Sequence, residues 1–278
     1  MSISIATTYT DPEKRCDPWK EAISCYEDFA DEIIVTGQDW PYEFSWNLIG
    51  ETFQEGFDRA TSDWVLRMDI DYFLHEKYIN KLRHVLKKYS EYPAVCFPQF
   101  QFFTPTRFHL KTRLCIALNK KKFPEIKLNG GGDLCLATIN SKLIEAKDVP
   151  NINIPIYQYD SLFRTKKVIS EDRSRFAKAW FNYFGNYGER GGALPEEAYK
   201  AWFENVQSKY QYHTNKIKIK NHPKYIRNKL YSLEPDQFGY NLFDLSPVND
   251  NYFKNFVTGK KDLYFGHTLN NIKRNLNF

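Results

Sequence analysis

Apolar Ile3 and Ile5 alternate with small polar residues along residues 2–9, a period of two that predicts a strand. A loop carrying Pro12 follows over 10–17. Trp19, Ile23, Tyr26 and Ala30 then recur at helical spacing, which predicts a helix over 18–30. Residues 32–36 (EIIVT) read as a second strand stopped by Gly37, and 38–44 as loop. Trp46, Leu48, Ile49, Phe53 and Phe57 are spaced mostly three or four apart, giving a second helix. The apolar run in SDWVLRMDID, residues 62–71, predicts a third and mostly buried strand. Ile79, Leu82, Val85 and Leu86 mark a helix over 76–89. Strand and helix therefore alternate through residue 90, the pattern of βαβ units around a parallel sheet.

The pattern changes after residue 90. Residues 92–103, 107–111, 113–119 and 134–139 read as short strands with turns between them, a mixed or antiparallel extension of the sheet. Gly130, Gly131 and Gly132 interrupt this region, either as a mobile turn or as a close approach of backbone to a ligand. Residues 154–159 form another short strand. Helices are expected over 171–184 and 195–210, the second opened by Pro195, with a glycine-rich, mobile link at 185–192. Glu171 and Asp172 read as helix N-terminal charges. Lys216, Lys218 and Lys220 alternate with Ile217 and Ile219, a strand with one basic face, either solvated or turned toward an anion. Residues 235–278 read as an irregular tail packed on the domain.

Two carboxylates give the third strand its chemistry. Asp69 and Asp71 flank Ile70, and strand alternation would point both acids to one side. Acids placed so close repel one another and resist desolvation. A hard cation with oxygen ligands, Mg²⁺ or Mn²⁺ with a phosphate, resolves that cost. In open α/β sheets ligands bind beyond the carboxyl ends of the strands. Thr7–Tyr9, Gly37–Asp39 and Asp69–Asp71 all fall at such ends.

Composition narrows the classes. At 42% hydrophobic and 26% charged residues, the 278-residue chain is a globular protein large enough for a substantial core. A net charge of +5 and a pI of about 8.7 fall short of a dedicated nucleic-acid binder but suit an anionic small substrate. The 22 Phe and 19 Tyr serve a core or a groove that stacks on sugar faces. Five widely spaced cysteines without a Cys-x-x-Cys pair fit reduced thiols in a cytoplasmic protein. Neither a signal peptide nor a transmembrane segment is expected, and oligomeric state is not legible.

The stretches ISIATTY, DEIIVTG and FDRATSDWVLRMDIDYFL closely resemble a GT-A-fold glycosyltransferase of the family-2-like group. The specific part is Arg-Ala-x-x-Asp-Trp-Val-Leu-x-x-Asp-x-Asp, here Arg59 through Asp71. Family members commonly read Asp-Ala-Asp-Glu, whereas this chain has Ile70 and Tyr72 at the second and fourth places. The resemblance covers residues 1–90 closely and is topological to about 230. It implies an α/β, Rossmann-like mixed sheet with flanking helices and a C-terminal helical or irregular extension. The catalytic domain would span 1–230, with a nucleotide-binding half at 1–90 and an acceptor half at 91–230; residues 231–278 would pack on it.

The resemblance also implies roles. Thr7, Thr8, Tyr9, Gln38 and Asp39 would line the nucleoside pocket, and Arg59 would approach the donor. Asp69 would sit near ribose and metal, Asp71 would bind Mn²⁺ or Mg²⁺, and His222 would be a late metal or diphosphate ligand. The donor would be a nucleotide-diphosphate sugar and the acceptor a glycan or other hydroxyl compound, as in polysaccharide biosynthesis, with inversion at the anomeric carbon. An inverting enzyme needs a carboxylate base, for which Asp133 and Asp160 are the candidates. Competing readings are a haloacid-dehalogenase-like phosphatase, which would carry its Asp-x-Asp on the first strand, and a non-catalytic carbohydrate-binding module. A sugar-nucleotide nucleotidyltransferase would want a glycine-rich loop where this chain has TTYTDPEKRCDP.

Overall fold

A computed structural model describes residues 1–38, 40–130, 136–159, 161–210, 212–213 and 215–234, excepting the side chains of 112 and 113. The expected α/β class holds. β1 (Ile3–Thr8), β2 (Glu32–Thr36) and β3 (Trp64–Arg67) run parallel, joined through α1 (Trp19–Glu27) and α2 (Leu48–Arg59). Period-two alternation divides the strands between two cores. Ile3, Ile5, Trp64 and Leu66 pack with Ala22, Cys25 and Tyr26 of α1. Ala6 and Val65 turn to the other face and meet Ile49, Phe53 and Phe57 of α2. That helix lies so close to β1 that a Cβ at Gly56 would stand 3.0 Å from the Ala6 Cβ. Its last turn is closed by Lys120, whose Nζ donates to the carbonyls of Phe57, Asp58 and Ala60.

The rest of the sheet is mixed. After β4 (Tyr72–Leu74) and α3 (Ile79–Lys88) come β5 (Ala94–Thr104) and β6 (Arg107–Leu118), a long antiparallel hairpin. The two strands expected over 107–119 are thus one. Register shifts along the hairpin, between Val95 and Cys96 and again between Gln99 and Phe100, accommodate it. With β7 (Lys127–Asn129), β8 (Leu136–Ile139) and β9 (Lys142–Leu143) forming a separate small sheet, β10 (Ile156–Gln158) joins the main one. The order is β2-β1-β3-β6-β5-β10-β4, and β11 (Asn215–Lys216) adds to β6.

Two helices, α4 (Lys166–Phe184) and α5 (Pro195–Tyr210), pack on each other as a hairpin. The first begins before residue 171 because Thr165 caps it, its side chain accepting from the Val168 N–H. Asp172 is therefore not an N-terminal charge but a buried acid well inside the helix. Within the link at 185–192, Gly191 (φ +77) lies tight against α5, where a Cβ would stand 2.4 Å from the Glu197 carbonyl oxygen. The basic strand at 216–220 is also corrected. Only Asn215 and Lys216 pair with β6, and Ile219–Asn221 coil into a 3-10 turn. Ile217 and Ile219 pack inward while the three lysines face solvent. A short α6 (Arg227–Tyr231) ends the described chain, so the irregular tail expected over 235–278 lies outside it. Among the described residues, no helix is long and apolar enough to cross a membrane, and Cys16, Cys25, Cys96 and Cys115 are unbridged.

Candidate functional site

A cleft of ≈ 850 Å³ opens beyond the carboxyl ends of β1 and β3 and is walled on its far side by α4 and α5. Its size is that of a small-molecule site. At its floor the two acids stand in a turn rather than in the strand. β3 ends at Arg67, and the Tyr72 N–H donates to the Asp69 carbonyl at 2.8 Å, closing a β-turn over residues 69–72. The backbone of this turn is anchored twice more. Tyr26 Oη–H donates to the Asp69 carbonyl at 2.6 Å, and the Tyr159 N–H to that of Asp71 at 3.1 Å. Burial holds the Tyr26 phenol far above its ordinary pKa, with the nearby Cys25, Asp69 and Asp71 adding to the effect, so it remains a donor. Both carboxylates line the cleft.

Beneath them lies a cation not recognised in the sequence. Arg67 is 3% exposed, stacked over Phe53 with its guanidinium 5.0 Å from the ring centroid, and its Nη1 stands 3.7 Å from an Asp69 oxygen. A buried guanidinium there offsets part of the repulsion between the acids. The signal was a lone arginine inside an otherwise apolar strand, one alternation behind Asp69. No group of three or more His, Cys, Asp or Glu that could hold a metal occurs among the described residues. Two carboxylates are nonetheless the donor set that suits Mg²⁺ or Mn²⁺ when a substrate's phosphate oxygens and water complete the shell.

Thr8, Tyr9 and Thr10 continue the wall from the end of β1. Thr7 is fully buried and outside the cleft wall, and the covered hydroxyls of Thr7 and Thr8 have no hydrogen-bond partner among the described residues. Thr10 Oγ1–H donates to the Gly37 carbonyl at 2.8 Å and draws the loop after β2 alongside. Gly37 has φ +70, and a Cβ there would lie 2.1 Å from Trp40 Nε1, so only glycine admits this indole. Trp40, Phe44 and Phe176 form a chain of ring contacts from that loop to α4. This aromatic wall went unread because residues 38–44 lack any period.

Farther along, Arg15 and Arg164 alternate with Asp17 and Asp172 in a closed ring of ion pairs. Arg15 reaches Asp17 at 2.9 Å and Asp172 at 2.5 Å; Arg164 reaches the same two acids at 2.7 and 2.9 Å. Burial works against the Arg164 charge, but Asp17, Asp172 and, more weakly, Asp71 outweigh it and raise its pKa. The ring therefore adjoins the acid turn.

Other expected site residues fall elsewhere. Arg59 ends α2, before β3 begins, and pairs with Glu55 at 3.0 Å in an exposed i,i+4 contact; it does not line the cleft. Gln38 is exposed and outside the cleft wall. Asp39, Asp133 and Asp160 lie outside the described residues. His222 is a core residue. Its Nε2–H donates to the Pro105 carbonyl at 3.0 Å, which leaves Nδ1 to accept from Tyr159 Oη–H at 2.8 Å. With both nitrogens engaged, it has no lone pair for a metal. It packs against the Phe102 ring at 4.8 Å between centroids, whereas the cleft takes Gln101 and Phe103 from the opposite face of β5.

Burial lowers the His222 pKa to about 4, against an ordinary value near 6.5. The folded state thus holds fewer protons than the unfolded one below pH 6.5. Its contribution, on the order of 3 kcal/mol, is complete above pH 6.5 and is lost as pH falls toward 4. His213, lowered by burial to about 3, acts in the same direction. Melting curves from pH 7 to 4.5 should show a steep fall in Tm. His222→Asn should be less stable at pH 7 and show a shallower fall; an unchanged slope would contradict the assignment.

The sequence matches no family model and no curated protein. Among solved structures, the crystal structure of S. aureus TarS 1–349 is similar with a TM-score of 0.31 and 11% identity, over 76% of this chain and 74% of that one. Similarity at that level identifies no family.

Proposed function

We propose that the protein is a glycosyltransferase that moves a sugar from a nucleotide-diphosphate donor to a hydroxyl acceptor, with inversion. One observation carries the reading. The acid turn at Asp69 and Asp71 opens into a cleft beyond the parallel strand ends, beside Thr8 at the end of β1 and opposite an aromatic and basic helical wall. In this reading Thr8 and Tyr9 meet the nucleoside, joined by Trp40; Thr7, fully buried and outside the cleft wall, does not. Asp69 and Asp71 hold Mn²⁺ or Mg²⁺, which when bound supplies positive charge to the departing diphosphate. Arg67, 3.7 Å from an Asp69 oxygen, offsets part of the negative charge of the turn from below. The Tyr26 and Tyr159 bonds hold the turn still, so that its charge is set in place before reaction.

Proton removal from the acceptor falls to Asp133 or Asp160. Asp17 and Asp172 are unsuited to it, since each is held by two arginines. Residues 1–90 form the donor half and 91–230 the acceptor half of one catalytic domain.

Thermal shift with UDP, GDP, dTDP and CMP, with and without Mn²⁺, tests this reading. A nucleotide present at about 100 Kd should stabilise the fold by about 2.7 kcal/mol, visible as a rise of several degrees only when the metal is present. No metal-dependent rise with any nucleotide would sink the transferase and leave a carbohydrate-binding module. Release of phosphate from sugar phosphates without nucleotide binding would favour the phosphatase.

A further inference from the structure

The sulfurs of Cys96 and Cys115 stand 3.0 Å apart, one on each strand of the long hairpin. In the sequence the two residues are 19 apart, which hides that β5 and β6 bring them together as register partners.

The backbone shows what kind of pair this is. The Cys96 N–H donates to the Pro150 carbonyl at 2.8 Å, and the Cys96 carbonyl accepts from the Ile152 N–H at 2.9 Å. In an antiparallel ladder a residue exchanges both of its backbone bonds with its opposite number or neither. Both bonds of Cys96 go to the segment on the side away from β6, so Cys96 and Cys115 are a non-hydrogen-bonded pair. Such pairs bring their Cα atoms to about 4.5 Å and their side chains closer than the alternate pairs do. That spacing falls within the roughly 4.4–6.8 Å that a disulfide spans. The sulfurs need to close from 3.0 Å to about 2.05 Å, a step within reach of side-chain rotation.

The place on the hairpin gives such a bond an effect. A register shift lies between Val95 and Cys96, so a bridge here would fix β5 against β6 where their pairing is irregular. The same two strands carry Gln101 and Phe103, and His109 and Leu114, to the cleft.

The two thiols differ in access. Cys96 is buried, whereas Cys115 is half-buried and its Sγ–H donates to the Ile144 carbonyl at 3.4 Å. Cys25 is a contrast: it is sealed against α1, where burial pushes its thiol far up and withholds the reactive thiolate.

We infer that Cys96 and Cys115 are a redox-sensitive pair that closes under peroxide to a cross-strand disulfide, stapling the hairpin, and reopens under a thiol reductant. The Cys115 thiolate attacks one oxygen of hydrogen peroxide, the O–O bond breaks, and hydroxide leaves while Cys115 becomes a sulfenic acid. The Cys96 thiolate then attacks the Cys115 sulfur. The S–S bond forms, and the sulfenic oxygen departs as hydroxide. The two hydroxides take up the two thiol protons and become water, and the peroxide gains the two electrons that the sulfurs give up. A dithiol reverses the bond by exchange through a mixed disulfide. None of this depends on the transferase reading.

Peptide mapping of the full chain after mild treatment with hydrogen peroxide tests the pair. Of the five thiols, those of Cys96 and Cys115 should disappear together into one linked peptide, and dithiothreitol should return both. Cys96→Ser should leave Cys115 as a sulfenic acid that dimedone captures, and Cys115→Ser should leave the buried Cys96 a thiol. The bridge should raise the Tm of the oxidised wild-type protein by several degrees, because it closes a loop in the unfolded chain. Neither serine variant should show that rise. Cys135 lies outside the described residues, and a linkage from Cys115 to Cys135 would overturn the pair. So would full alkylation of both thiols after peroxide, or oxidation of wild-type Cys115 onward to sulfinic acid with Cys96 still a thiol. A bridge that forms without raising Tm would overturn the staple.

Discussion

Asp71→Ala is expected to abolish metal-dependent nucleotide binding and sugar transfer while the protein folds as before. The two consequences come from different atoms of one residue. Its carbonyl accepts from the Tyr159 N–H at 3.1 Å and so ties the turn to the chain after β10; alanine keeps that bond. Its carboxylate faces the cleft and bears on chemistry. Losing it removes both its repulsion of Asp69 and its attraction for Arg164, opposed effects that should leave stability little changed. Loss of the cation site forfeits several kcal/mol of charge stabilisation, roughly three orders of magnitude in rate at about 1.4 kcal/mol per factor of ten. Asp69→Ala is a less clean experiment, because it also removes the carboxylate that stands 3.7 Å from buried Arg67. Thermal melting and Mn²⁺-dependent calorimetry with the nucleotide found by thermal shift would measure both effects. An Asp71→Ala protein that still binds nucleotide in a metal-dependent way would remove the acid turn from the mechanism.

What the sequence disclosed follows the range of the interactions involved. β2 is legible to the residue, since after Glu32 the run IIVT is wholly β-branched and is ended by a glycine with φ +70. The placement of Thr8 and Asp69 near one another follows from parallel pairing of β1 with β3. Local periodicity cannot show that a strand ends early. β3 gives way to the turn where Tyr26, from α1, and Tyr159, after β10, take the carbonyls of Asp69 and Asp71, and neither partner is near in sequence. His222 looked like a ligand from its position after a basic stretch. Its actual partners, Tyr159 and Pro105, lie 63 and 117 residues away. The lysines of KIKIK alternate in exposure as a strand would, yet β6 offers pairing only to the first two residues of that segment. The ion-pair ring joins residues 157 apart, and nothing in the local pattern around Arg15 or Asp172 announces it.

That ring should make Asp172→Ala the most destabilising single change near the cleft. Asp172 is 5% exposed and receives Arg15 and Arg164 at 2.5 and 2.9 Å, with Arg175 at 3.8 Å. Removing it leaves two inward arginines sharing Asp17 alone, and breaking a buried pair in this way costs about 3–5 kcal/mol. Asp172→Asn should cost less, because the amide oxygen still accepts a hydrogen bond although the charge is gone. Burial pushes the Asp172 carboxyl up, but Arg15, Arg164, Arg173 and Arg175 together more than offset it and hold its pKa below the ordinary value. The folded protein therefore sheds this proton more readily than the unfolded chain. The resulting stabilisation is present above about pH 4, the ordinary carboxylate range, and disappears as pH falls through the folded-state value. Urea titrations should show a lower midpoint for the alanine variant with an unchanged slope. The acid-dependent part of the wild-type loss below pH 4 should shrink in both variants. Because Arg164 also feels Asp71, loss of the ring should loosen α4 against the acid turn and weaken nucleotide binding even at temperatures where the variant stays folded. A urea midpoint unmoved by Asp172→Ala would show that the ring is solvated in solution and does not hold the helical wall to the sheet.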